Sequence, residues 1–207
     1  ERNIYMNNMD KKYEALFTPW KIGNVEIKNR ICMAPMLMDF GQFDGRTTEQ
    51  LMDYYEERAK GGTGLIITEI TRVNDRTGGA AFAQLGMSHD YQIEGMSELA
   101  ERIHRHGAKL FVQLHHPGRQ NMALLMDTLP MSILGEKLIP RFEDMLYSVV
   151  PAGKILMKHH IVPRVVSPSK CENVYFADGN NRALRKSEIK GLVQDFIDGA
   201  VRVKKAG

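Results

Sequence analysis

The segment Gly64-Leu65-Ile66-Ile67-Thr68-Glu69 constrains the fold more than any other stretch of this chain. It is continuously apolar and β-branched, not alternating, which is the pattern of a strand covered on both faces in a parallel sheet. Parallel neighbours need long crossovers, usually helical, and helical patterns flank the run on both sides. Before it, Thr47 or Thr48 can cap a helix whose apolar positions are Leu51, Met52, Tyr54, Tyr55 and Ala59, ended by Gly61-Gly62. After a polar loop from Asn74 to Ala80, a second helical pattern runs from about Tyr91 to His106. Its apolar face is Ile93, Met96, Leu99, Ala100 and Ile103, and Gly107 closes it.

Two more runs complete the sheet. Arg30 to Ala34, stopped by Pro35, reads as the first core strand, and Lys109 to Leu114 as the third. Strand, helix, strand, helix, strand with right-handed crossovers defines an α/β fold with a parallel sheet. Ahead of it, Trp20 to Lys28 alternates around Gly23-Asn24, a pair suited to a tight hairpin. At the far end, Lys186 to Ala206 is an amphipathic helix expected to turn Ile189, Leu192, Val193, Phe196, Ile197, Ala200 and Val203 inward. Gly207 falls where a helix stops and a fourth strand should begin.

From about Asn121 to Arg164 the rhythm breaks, with apolar patches interrupted by Pro130, Pro140 and Pro151. The segment holds Met122, Met126, Met131, Met145 and Met157 and reads as an inserted, partly helical subdomain. Its methionines fit either the gap-filling core of that subdomain or an adaptable apolar surface. Glu1 to Asp10 is polar and patternless and reads as a disordered leader or tag-derived sequence.

The chain of 207 residues carries a formal charge of +3 with no basic run, so neither nucleic acid nor a membrane surface is an expected partner. The longest apolar stretches fall far short of the roughly 20 residues of a membrane-spanning helix. Cys32 and Cys171 lie far apart with no export signal ahead of them, which favours free thiols in the cytoplasm. No Walker loop and no Gly-x-Gly-x-x-Gly follows a strand. The seven histidines give no metal site: His104 and His106 leave a helix on different faces, and the adjacent pairs His115-His116 and His159-His160 cannot easily share an ion.

In a parallel barrel, ligands bind at the C-terminal strand ends, here Pro35-Met36, Glu69-Ile70 and Gln113 to Gly118. Those ends also carry family motifs. Leu16-Phe17-Thr18-Pro19, Lys28-Asn29-Arg30-Ile31, Met33-Ala34-Pro35-Met36, Phe111-Val112-Gln113-Leu114-His115-His116-Pro117-Gly118-Arg119 and Ser167-Pro168-Ser169 resemble, in order and spacing, the N-terminal portion of old yellow enzyme family flavoproteins. The branch they resemble most is that of 2-enoate and 2,4-dienoyl-CoA reductases. The resemblance implies a (β/α)8 barrel of the FMN-linked type, here incomplete. It divides the chain into a leader (1–10), the first barrel strands and helices (11–120), a Met-rich lid (121–165) and a barrel segment ending before the fourth strand (166–207).

The resemblance also implies roles. A flavin ring is flat, apolar in its middle and polar at its edges, so it asks for a wall, backbone groups and an amide. The Ala34-Pro35-Met36 backbone is expected beside the isoalloxazine, Ile70 near flavin O4 through its amide, and Gln113 at the pyrimidine edge. Leu37 stands where the family often has Thr or Cys, so a polar tuning contact is absent there. His115 falls at a substrate-lining position, while His116 is expected to brace the loop, and Arg119 is expected either to brace it or to reach an anionic group of the substrate. The implied reaction is ping-pong: NADH or NADPH reduces FMN, and flavin N5 passes hydride to the activated alkene of an apolar enone or enoate. The proton-donating Tyr and the His-x-x-His or His-x-x-Asn segment of the family are expected beyond Gly207, as are the phosphate loops.

The branch includes proteins whose barrel is followed by FAD and 4Fe-4S domains, so these cofactors are implied for a longer parent, itself a homo-oligomer candidate. Three units of an eight-unit barrel leave open edges, so the remainder of the barrel or a second chain is expected as partner, and this stretch alone is expected to be inactive. The alternative is a non-catalytic half-barrel acting as a binding or assembly module.

Overall fold

A computed structural model describes residues 12–81, 83–120, 166–170 and 182–207. The expected leader, the Met-rich segment and Cys171 lie outside the described residues. Strands β1 (Trp20–Ile22) and β2 (Val25–Ile27) form the antiparallel hairpin, turning at Gly23 with a φ of 55°. The parallel sheet has the order β3 (Cys32–Met33), β4 (Leu65–Arg72), β5 (Lys109–His115). A short parallel pair joins β6 (Val166–Ser167) to β7 (Arg182–Ala183).

The crossover helices begin and end where local chemistry places them. Helix α1 (Glu49–Lys60) is capped by Thr48, whose Oγ1 accepts the Leu51 N–H at 3.2 Å, and it stops at Gly61 with Gly62 at a φ of 102°. Thr47 is buried instead of capping. Helix α2 (Ile93–His104) follows a 3₁₀ turn, Asp90–Gln92, and ends before Gly107 at a φ of 70°. Helix α3 (Lys186–Ala206) starts over Glu188, whose carboxylate accepts the Arg185 N–H at 2.7 Å and two bonds from Arg182.

The core lies between the sheet and the helices. Leu51, Tyr55 and Ala59 of α1, Met96, Leu99 and Ile103 of α2, and Ile66 of β4 are buried together, with Leu85 and Met87 from the loop after β4. Leu110, Val112 and Leu114 pack against this cluster, so β5 sends its even-numbered side chains to the helices. Phe111, Gln113 and His115 therefore face the other side of the sheet.

Two expectations need correction. The middle strand does not stop at Glu69 but continues to Arg72, because the ladder absorbs an extra residue: Ile67 faces Phe111, whereas Ile70 faces Gln113. Such a bulge leaves one residue unpaired and restores the alternation beyond it. Ile70 is thus inside β4, not one residue past it. The second correction concerns α3. Gly199 and Ala206 are its buried residues and Val203 packs on the core, but Ile189, Val193, Ile197 and Val201 are 42 to 55% exposed, and Ala200 is exposed too. The helix has a second apolar stripe, and periodicity alone cannot say which one packs.

Candidate functional site

The C-terminal ends of β4 and β5 lie side by side, Arg72 facing His115, whereas β3 ends earlier with Met33 facing Ile66, and the loop after it runs on along β4 to Glu69, which binds the Met38 N–H. Within the first loop Pro35 is half-buried, while Met36 and Leu37 are 57% and 40% exposed. The register pairs Ile70 with Gln113 and Arg72 with His115, placing those side chains on the face turned away from the helices.

Polar atoms on this face are unspent. The Gln113 N–H reaches Thr68 Oγ1 at 3.3 Å, but its side-chain amide makes no hydrogen bond among the described residues. His115 Nδ1 is buried without a partner among them, and burial pushes its pKa below the usual histidine value. An orphaned buried polar atom is costly unless something else satisfies it. His116 is different: Nδ1 accepts the Gly118 N–H at 3.1 Å and Nε2 lies 2.9 Å from Thr77 Oγ1, which braces the loops after β4 and β5. The expected bracing part of His116 corresponds to these contacts. Arg119 sits in the 3₁₀ turn Gly118–Gln120.

Glu69, named from the sequence only as a strand end, and Arg72, which the sequence did not single out, hold the edge together. Glu69 is fully buried, and its carboxylate accepts the backbone N–H of Met38 at 2.7 Å and of Leu85 at 3.4 Å. Burial pushes its pKa up, and the backbone donors Met38, Leu85 and Asp39 pull it back. Its own N–H donates to Tyr55 Oη at 2.7 Å. Arg72, 2% exposed, donates to Asp75 Oδ1 at 2.7 Å, to the Gln84 carbonyl at 2.6 Å and to the Phe43 carbonyl at 3.1 Å. Asp75 also accepts from Ser88 at 2.8 Å and lies 2.7 Å from His89 Nε2. The signal in the sequence was a charged residue on each side of Ile70-Thr71 at the end of an apolar run.

The sequence signature of the NADH:flavin oxidoreductase / NADH oxidase family matches residues 15–207. The chain belongs to this family. An NADH oxidase of Thermoanaerobacter brockii is 36% identical over 94% of this chain and 24% of its own length. An NADPH dehydrogenase of Listeria welshimeri is 30% identical over 91% of this chain and 62% of its own. Among solved structures, the old yellow enzyme homologue from Zymomonas mobilis superposes with a TM-score of 0.68 at 27% identity, over 93% of this chain and 46% of that one. The chain therefore spans less than two-thirds of the relatives it matches. Its sheet and helices are part of an old yellow enzyme (β/α)8 barrel, as the motifs implied.

The family implies FMN and a nicotinamide coenzyme, and the residues here fit a flavin. The face beyond the sheet offers an unspent amide at Gln113 and an unsatisfied ring nitrogen at His115, and the loop after β3 exposes apolar groups at Met36 and Leu37. A flat heteroaromatic ring with polar edges satisfies that set. Among the described residues no group of three His, Cys, Asp or Glu is placed to hold a metal ion, and no helix is long and apolar enough to cross a membrane.

Proposed function

We propose that this chain forms the flavin-facing portion of an FMN-dependent NAD(P)H:ene-reductase that reduces the activated C=C bond of an enone or enoate. The observation that carries the reading is the pairing of an unspent Gln113 amide and an unsatisfied His115 Nδ1 on one face, at the ends of parallel strands. Bound FMN supplies the hydride from N5 after reduction by NADH or NADPH.

This chain's own residues bind and orient. Gln113 holds the pyrimidine edge, which presents donors and acceptors in the order an amide can match. The Ala34–Pro35–Met36 backbone and the Leu37 side chain wall the ring, and Ile70 presents its backbone amide toward O4. Leu37 brings no polar contact to the ring. His115, neutral because burial lowers its pKa, offers one ring nitrogen to the substrate as donor or acceptor but no charge. The proton donor and the groups that polarise the substrate carbonyl are assigned to parts of the barrel outside this chain, as are phosphate contacts. The match to only 24% of the Thermoanaerobacter relative's length leaves room for further domains, and FAD and 4Fe-4S as their cofactors, a cytoplasmic location and a homo-oligomer belong to the same proposal.

The test is anaerobic: the FMN-loaded full-length protein that contains this chain, with NADPH and 2-cyclohexenone, following loss of the enone and appearance of the saturated ketone. Flavin reduction without alkene reduction rejects the ene-reductase reading and leaves an NAD(P)H oxidase. The apolar stripe Ile189, Val193, Ile197 and Val201 favours a second reading, a non-catalytic half-barrel that assembles with another chain. A colourless protein that forms a stable complex and retains no FMN supports that one.

A further inference from the structure

Two charged side chains buried at the end of β4 grip the same two loops with opposite polarity. Glu69 accepts the N–H of Met38, in the loop after β3, and of Leu85, in the loop after β4. Arg72 donates to the carbonyl of Phe43 in the first loop and of Gln84 in the second. Asp39, at a φ of 57°, adds a surface tie by accepting the Ala83 N–H at 2.7 Å, and Gly41 N–H donates to the Ala83 carbonyl at 2.9 Å.

The residue types suit this task. An ionised carboxylate is acceptor-only with two oxygens, and a guanidinium is donor-only with a rigid fork, so together they can match free N–H and C=O groups of two loops. Burying either charge is costly unless every polar atom finds a partner, and apolar residues could fill the space without fixing where the loops lie. Met38 directly follows Leu37, so whatever fixes Met38 fixes the end of the Pro35–Leu37 wall.

We infer that Glu69 and Arg72 are positioning residues for the flavin: by tying the loop after β3 to the loop after β4, they set where Pro35–Leu37 stands relative to Ile70 and Gln113. The inference rests on the FMN reading above. Neither residue touches the ring; both act through the backbone they hold.

The test compares FMN affinity and the visible flavin spectrum of the FMN-loaded full-length protein with those of Glu69→Gln, which keeps shape but turns one acceptor into a donor. Roughly tenfold weaker FMN binding is expected, the size of effect that loss of a hydrogen bond to a charged group produces, with a flavin spectrum moved toward that of free FMN. Ile103→Ala, a core change that removes no hydrogen bond to either loop, should lower the melting temperature comparably while leaving both flavin readouts unchanged. Should Glu69→Gln fail to fold, Asp39 decides. Asp39→Gly keeps the positive φ and removes the tie, so FMN binding weakens, and Asp39→Asn restores it through its remaining carbonyl oxygen. Flavin affinity and spectrum unchanged in Glu69→Gln, or in Asp39→Gly where that variant decides, overturn the positioning role alone. A full-length wild-type protein that binds no FMN overturns the flavin reading and this inference with it.

Discussion

His116 Nε2 lies 2.9 Å from Thr77 Oγ1, which itself lies 3.2 Å from Asn74 Oδ1. With Nδ1 accepting from Gly118 N–H, the ring proton sits on Nε2 and donates to Thr77. The hydroxyl passes the bond on to Asn74, so the loops after β4 and β5 are joined by a directed chain that requires a neutral imidazole.

Burial, reinforced by the neighbouring His115, pushes the His116 pKa from 6.5 to about 4. The folded state disfavours the proton, so the unfolded chain takes it first as pH falls. Stability from this group is fully present above about pH 6.5, falls progressively as pH drops toward 4, and changes no further below. Urea midpoints measured across that window should show the slope, and His116→Asn should flatten it. An NMR titration placing His116 above pH 6 would contradict the bond pattern.

Arg72→Met should cost about 3–5 kcal/mol, because it leaves the buried Asp75 carboxylate without its ionic partner. Arg72→Lys retains charge but not the fork, and should fall between wild type and Arg72→Met. Chemical denaturation of the three proteins ranks them; equal midpoints would show that the guanidinium contacts contribute nothing to stability.

Gly199 and Gly191 lie in the same helix with opposite expectations. A Cβ at Gly199 would stand 3.0 Å from Val73 Cγ1 and 3.6 Å from Leu114 Cδ2, whereas one at Gly191 meets nothing within 4 Å. Gly199→Val should destabilise by about 1–3 kcal/mol through overpacking, while Gly191→Ala should stabilise by roughly 0.5–1 kcal/mol through helix propensity. Thermal melts of both variants check the sign at each position.

For the cofactor, Gln113→Ala should weaken FMN binding roughly tenfold through loss of the pyrimidine-edge contact, with the apoprotein melting temperature unchanged, since the amide has no partner among the described residues to lose. Fluorescence quenching on FMN titration measures it. An unchanged affinity removes Gln113 from the site.

Much of this architecture was legible because it is written locally. Thr48 with Leu51, and Gly62 and Gly107 at positive φ, bound the helices where capping chemistry says they should. The unbroken Leu65-Ile66-Ile67 run announced a strand between two layers. What stayed hidden depends on distant partners. Thr68, Glu69 and Thr71 look like a strand giving way to a loop, yet all three are buried: Thr68 and Thr71 Oγ1 lie 3.3 Å apart, and Glu69 is satisfied by Tyr55, Met38 and Leu85. Arg72 reads as solvent-facing until Phe43 and Gln84, far away in sequence, supply carbonyls. On α3, both apolar stripes have helical spacing, and only Gly199, small enough to sit against Val73, marks the one that packs. Gln113 and His115 were named from motif position, and the register then put them on one face.

The bulge in β4 makes strand length, and not only residue choice, part of what this chain encodes. Three steps from Ile67 to Ile70 match two from Phe111 to Gln113, so the surplus residue gives Glu69 a place without upsetting which neighbours look toward the helices. An engineer who idealised the strand by deleting one position would obtain a straighter ladder. The same deletion would remove either Glu69 itself or the surplus residue that sets where its carboxylate points, leaving a tidier sheet with its binding edge unframed.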